Sequence, residues 1–257
     1  MRNTGIVFTL VLLFSSCGGS WIPHELDLML GKQSNTFIEE NTNQFKIIEP
    51  EEAPFAYERI EAIRDEILAS GLVKNKDKFN WELKIVHDDS VLNAFCLPGG
   101  YIYVYTGLIK YLNSEAALAG VIGHEMAHAD QRHSVQQMVK NMGLGLLTQY
   151  IFGVDNSGLV NIGANLLSLS FSRSDESEAD ALSVKYLYKT NYDARGAAHF
   201  FEQIEKDQKN EGMLEFASTH PNPENRVQEI EKYWQELGAK KGELFEARYQ
   251  KIKSSLP

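Results

Sequence analysis

The chain has 257 residues, 43% hydrophobic and 23% charged, a globular composition with enough apolar residues for a sizeable core in one or two domains. Its formal net charge is −10. No Lys/Arg cluster offsets phosphate repulsion, which excludes nucleic acid as a partner.

The first twenty residues, MRNTGIVFTLVLLFSSCGGS, open with Arg2, run apolar from Ile6 to Phe14 and turn to small residues around Cys17. That order reads as a signal peptide over 1–16, its apolar run too short for a membrane span. FSSC followed by Gly18, Gly19 and Ser20 resembles the lipobox of bacterial lipoproteins, in which the cysteine is lipidated and becomes the mature N-terminus. A plain secretory leader with an incidental cysteine is the alternative. A lipid at Cys17 would anchor the chain on the periplasmic side of a bacterial envelope membrane, and Gly18 in place of Asp resembles outer-membrane sorting. Cys96 would then be the only thiol, so no intramolecular disulfide is expected. Within AFCLP it reads as a small buried hydrophobe.

A lead-in segment over 17–50 contains a helix from Pro23 through Leu30 and a second short one before Phe45; a single domain follows over 51–257. Between Pro50 and Ser70, Phe55, Ile60, Ile63, Ile67 and Leu68 recur at helical spacing, and Gly71 is a suitable stop. Trp81–Val86 alternates as a half-buried strand, and Tyr101–Tyr105 is rich in aromatic and β-branched residues. Pro98, Gly99 and Gly100 between them signal a turn. A small sheet is therefore expected just before the next helix. Its edge could pair with an extended substrate backbone, or it could be a structural hairpin without such a role.

Asn113 or Ser114 can cap a helix running from Ser114 to His133, which carries VIGHEMAHAD. Residues four apart share a helix face, so the imidazoles of His124 and His128 can converge on one ion. Glu125 sits where its carboxylate can reach a water beside that ion without ligating it. His133 lies five residues beyond His128, not six, and the glycine of HExxHxxGxxH is absent, so it reads as a surface histidine or a neighbour of a ligand. Met142–Phe171 is apolar but interrupted by Gln149, Asp155, Asn156, Asn161 and Asn165. Two helices over the site fit it better than a membrane span.

Two histidines do not complete a catalytic zinc site, which uses three protein ligands and leaves a position to water. In SRSDESEAD, Glu176 and Asp180 stand four apart on one helix face. Glu176 can complete the set, and Asp180 can hold the spare N–H of a ligand histidine. Glu178, roughly 200° around the helix from Glu176, should face away and is the runner-up. The chain then continues as helices over Asn191–Asp207 and from Asn222 to about Lys253, with Asn222 as cap and Pro223 at the first helical position.

Five blocks in order carry a family resemblance: ELDLMLGKQ, NAFCLPGGYIYVYTGLI, EAALAGVIGHEMAHADQRH, SRSDESEAD and STHPNPENR. On these, spanning about Glu25 to Arg226, the chain resembles the HtpX-like and BepA-like zinc metallopeptidases, the group that includes the CAAX prenyl proteases and the mitochondrial Oma-type proteases. The resemblance implies an α+β, mainly helical, gluzincin-type domain with a small sheet whose edge strand flanks the HExxH helix. It implies one Zn²⁺ per chain on His124, His128 and Glu176, supported by Asp180. It places Asn93, with Ala94 and Phe95 of the same NAF, at the substrate, His220 and Arg226 in the site, and Arg173 beside it.

On this basis the expected activity is a metalloendopeptidase with Glu125 as general base and His220 or Arg226 at the oxyanion. Its substrates would be proteins or peptides of the cell envelope, cleaved in quality control, with envelope assembly complexes as further partners. The alternative is an envelope chaperone or assembly factor whose zinc site is structural or latent, signalled by His220 in the fourth zinc position.

Overall fold

The computed structural model describes residues 22–145, 147, 166–207, 216, 218–221 and 225–257. The leader over 1–16, Cys17, most of the two helices expected over Met142–Phe171, and the Asn222–Pro223 helix start lie outside these residues.

In chain order the elements are α1 (His24–Glu40), β1 (Ile47–Ile48), α2 (Pro54–Ala69), β2 (Glu82–Val86), β3 (Ala94–Leu97), β4 (Tyr101–Tyr105), α3 (Thr106–Tyr111), α4 (Glu115–Gln131) and α5 (His133–Met142). After them come α6 (Arg173–Leu187), α7 (Gly196–Lys206), α8 (Arg226–Glu236) and α9 (Glu246–Ser254). The α+β, mainly helical architecture expected from the sequence is the one observed. No helix of the described residues is long and apolar enough to cross a membrane.

The organising element is α4. Every residue from Glu115 to Asp130 is buried, so this helix has no solvent face. A helix enclosed on all sides needs partners all round, and α2, α6, α7 and the sheet supply them. Its crossing with α7 is close because two glycines meet there. A Cβ on Gly120 would lie 2.0 Å from the Ala197 nitrogen, and one on Gly196 would lie 2.0 Å from the Ala116 carbonyl oxygen. Ser114 caps α4, its hydroxyl accepting from the Ala117 N–H at 3.1 Å.

At the start of α4 a buried carboxylate ties three segments together. Glu115 accepts from Arg59 of α2 at 2.9 Å, from Arg248 of α9 at 2.8 Å and from the Tyr192 hydroxyl at 2.7 Å. At its other end the helix stops at Gln131, two residues short of the expected His133. Arg132 takes the left-handed conformation with φ 64°, and α5 begins at His133. A non-glycine residue there is strained and needs support. Arg132 receives it from α1 and the segment just before it: Nε and Nη2 donate to the buried Asp27 carboxylate at 2.9 and 2.6 Å, and Nη1 donates to the Ile22 carbonyl at 2.7 Å.

The sheet has the order β1-β2-β4-β3, with β2 and β4 parallel and both outer pairs antiparallel. β3 therefore lies at an edge, pairing with β4 alone among the described residues, and it is the strand nearest α4. The turn that follows β3 is locked against α1, where a Cβ on Gly31 would fall 1.8 Å from the Pro98 carbonyl oxygen.

Other expected boundaries differ as well, the helix expected from Asn191 starting only at Gly196. α1 runs unbroken to Glu40 instead of stopping at Leu30, because Ser34 and Asn35 are buried polar residues on its packed face. Asn35 Oδ1 accepts from the Tyr103 hydroxyl at 2.5 Å, an interaction no local pattern reveals. The long helix expected to reach Lys253 is two helices, since Gly238 (φ 104°) and Ala239 (φ 54°) hold left-handed backbone that a helix cannot carry.

Candidate metal centre and active site

His124, Glu125 and His128 project from the middle of α4. Glu176 comes from the first turn of α6, which Ser172 and Asp175 fix by a reciprocal capping box: the Asp175 N–H donates to Ser172 Oγ at 3.3 Å and the Ser172 N–H to Asp175 at 3.0 Å. The ring nitrogens His124 Nε2 and His128 Nε2 face each other at 3.0 Å. Glu176 Oε2 lies 3.4 Å from the first and Oε1 lies 3.4 Å from the second. His220 joins them, its Nδ1 3.1 Å from Glu176 Oε1 and its Nε2 3.6 Å from Glu125 Oε1. One ligand atom from each of His124, His128, Glu176 and His220 falls within a 4.8 Å span, and all four residues are buried.

The electrostatics fit a cation. Burial works against a charge on His124, yet its hydrogen bonds to Asp180 and Glu176 prevail and raise its pKa to about 9. Burial drives His128 well below its ordinary value and pushes Glu125 up. Burial would also raise Glu176, but bonds from His124, His128 and His220 hold it far below the carboxylate range. A divalent ion held by these atoms would supply positive charge that these carboxylates otherwise draw from His124. Glu125 Oε1 is a buried acceptor without a hydrogen-bond donor, as expected where a water belongs. Two imidazole nitrogens and one carboxylate are an attested zinc set.

Behind the cluster, Asp180 Oδ1 lies 2.9 Å from His124 Nδ1, the supporting position expected of it. Arg226, the first residue of α8, donates from Nε and Nη2 to the two Asp180 oxygens at 2.8 and 2.6 Å. Its Nη1 is 3.0 Å from Glu176 Oε2, an ion pair whose angle is poor for a hydrogen bond. The guanidinium carbon sits 4.0 Å over the Phe201 ring. Arg226 is thus buried behind the ligands and is not among the residues lining the cleft, which does not fit the expected contact with an oxyanion. Arg173 is exposed at the start of α6 and makes none of the cluster's ion pairs.

On the open side of Glu125 a cleft of about 200 Å³ is lined by Asn93, Phe95, Phe171, Thr219 and His220 among others. Asn93 and Phe95 thus face this cleft, and Asn93 Oδ1 is buried without a hydrogen-bond partner. The Ala94 side chain is fully buried in the main core, leaving its backbone as the part that an edge strand can offer. Glu178 faces away from the cluster, as its helical phase requires, and reaches His133 instead. Three aromatic contacts escaped the sequence reading. Phe171 stacks on His128 at 3.9 Å, Phe216 stacks on His220 at 4.8 Å, and Phe201 lies beneath Arg226. Only Phe171, adjoining SRSDESEAD, stood close enough to a motif to be suspected.

Residues 54–234 match the model of Peptidase family M48. The chain is 35% identical over 159 residues to the mitochondrial metalloendopeptidase OMA1 of Arabidopsis thaliana, covering 62% of this chain and 32% of the relative. It is 32% identical over 176 residues to the OMA1 of Schizosaccharomyces pombe, covering 66% and 51%. A putative beta-barrel assembly-enhancing protease of Vibrio cholerae is 30% identical over 156 residues, covering 54% and 32%. The chain thus spans about a third to a half of the length of these curated relatives.

The mitochondrial relatives overturn the expected placement as a lipid-anchored outer-membrane protein of a bacterial envelope. A short apolar run followed by small residues is a degenerate pattern shared by leaders of different destinations, and Cys17 lies outside the described residues. What the fold, the cluster and the family match establish together is membership: the chain belongs to Peptidase family M48, and its buried His124, His128, Glu176 cluster fits the zinc of a metallopeptidase.

Proposed function

We propose that this chain is a zinc-dependent endopeptidase that cleaves extended segments of protein substrates in protein quality control. The observation that carries the reading is the position of Glu125, beside the His124, His128 and Glu176 ligand atoms on one side and open to the cleft on the other. When bound, Zn²⁺ makes a water acidic near neutral pH and polarises the scissile carbonyl. Glu125 accepts the proton of the attacking water and returns it to the leaving amine. Asp180 keeps His124 in the tautomer that presents Nε2 to the ion. The outer edge of β3, unpaired among the described residues, pairs with the substrate backbone, which recognises extended chain without regard to sequence. Phe95 and Phe171 offer apolar surface to its side chains.

Chelation tests this. The purified chain is expected to cleave an unfolded protein such as casein, to lose that activity on zinc removal and to regain it with about one equivalent of Zn²⁺. Full cleavage by metal-free protein would sink the assignment.

A second reading, a latent site, is favoured by one observation: His220 lies within the ligand cluster, 3.1 Å from Glu176. A fourth protein ligand closes a zinc site, whereas a catalytic one stays open. His220→Ala separates the two. Cleavage rises severalfold if His220 holds the site shut and falls by about 10²-fold if it donates to the oxyanion.

A further inference from the structure

His133 lies five residues beyond His128, one position short of the third histidine of HExxHxxGxxH. It is 4% exposed and packed against the metal cluster. Its Nδ1 lies 2.9 Å from Nδ1 of His128, whose Nε2 is the nitrogen turned toward His124 and Glu176. On a continuous helix, residues five apart are roughly 140° apart and cannot meet. They meet here because Arg132 breaks the helix in left-handed conformation and starts α5 on a new axis. The strain of that residue is held by the buried Asp27 carboxylate and by the Ile22 and Pro23 carbonyls. Strain of this kind persists where the surroundings enforce it, and it points to a role for what it positions.

We propose that His133 is the positioning residue of the metal ligand His128, accepting its Nδ1–H and thereby fixing its tautomer and ring plane, as Asp180 does for His124. The inference rests on His124, His128 and Glu176 holding zinc. A ligand imidazole that presents Nε2 to a metal carries its proton on Nδ1 and needs an acceptor there. His133 Nδ1 is that acceptor, so the His133 proton sits on Nε2, which faces Glu178 at 3.4 Å and Asp175 at 4.0 Å. Phe171, stacked on His128 at 3.9 Å, restrains the same ring from its face. The two ligand histidines are thus supported differently, one by a buried carboxylate and one by a neutral imidazole that hands its own proton toward the exposed Glu178.

The decisive measurement is made on the wild-type, zinc-loaded full chain. Long-range ¹H–¹⁵N correlation of histidine-labelled protein is expected to show His128 protonated at Nδ1 and His133 protonated at Nε2 only. A His133 ring protonated at Nδ1 overturns the proposal. Zinc affinity by chelator competition is the second readout. His133→Leu should weaken it about 10–100-fold, and His133→Gln, whose amide oxygen can accept the same proton, should recover most of the loss. Zinc binding by His133→Leu within twofold of wild type also overturns the proposal while leaving the peptidase assignment standing; failure of the wild type to bind zinc overturns both.

Discussion

Glu125→Gln is expected to lower peptide cleavage by about 10²–10⁴-fold, the range over which a positioned proton carrier acts, while the protein keeps its zinc. The glutamine matches the carboxylate in shape but cannot take the proton of the attacking water. It reaches none of the ligand contacts, which belong to His124, His128 and Glu176. Folding should not suffer. Glu125 is 1% exposed, and burial disfavours its charge, so a neutral isostere removes a cost. Zinc content, thermal melting and cleavage of one substrate, measured on the same preparation, check the three parts together. Undiminished cleavage would remove Glu125 from the chemistry, and loss of zinc would make it a ligand.

Arg226→Ala is expected to destabilise the metal-free protein by about 3–5 kcal/mol, the usual consequence of stranding buried charges by deleting one partner. In a chain of this size that lowers Tm by on the order of 10 °C. The guanidinium is 2% exposed and compensates Asp180 through two hydrogen bonds and Glu176 through an ion pair. Arg226→Lys should recover only part, since an ammonium cannot fork across both Asp180 oxygens. Acid should shrink the difference. Burial alone would raise Asp180, but Arg226 and His124 hold it below its ordinary value. A carboxylate depressed in the folded state contributes stability above the unfolded pKa of about 4 and loses it as pH falls through the folded one. The gap between wild type and Arg226→Ala is therefore widest at neutral pH and closes in acid. A gap that widened in acid would refute this account of Arg226.

What was legible in the sequence was whatever a single helix or strand encodes by spacing. The pairing of His124 with His128, the phase that favours Glu176 over Glu178, and the Ser114 cap all follow from periodicity, and all are observed. Contacts between distant segments were not legible. Arg226 lies 46 positions from its partner Asp180, and no local rule says which carboxylate a buried arginine meets. The end of α4 was misread because Arg132 adopts positive φ, a conformation that depends on Asp27 over a hundred positions earlier. His133 was undervalued for the same reason: on an unbroken helix it would have pointed elsewhere.

The short edge strand β3 carries a liability along with its use. Its residues Ala94, Phe95, Cys96 and Leu97 include no charge and no proline, the two devices with which exposed strands usually repel their own kind. In the proposed substrate role neither device is open to it, since a charge or a proline there would repel incoming chains too. Length is the remaining safeguard. At four residues the strand offers only a few backbone hydrogen bonds, enough to align a chain that the cleft also holds and too few to template a growing sheet from copies of itself.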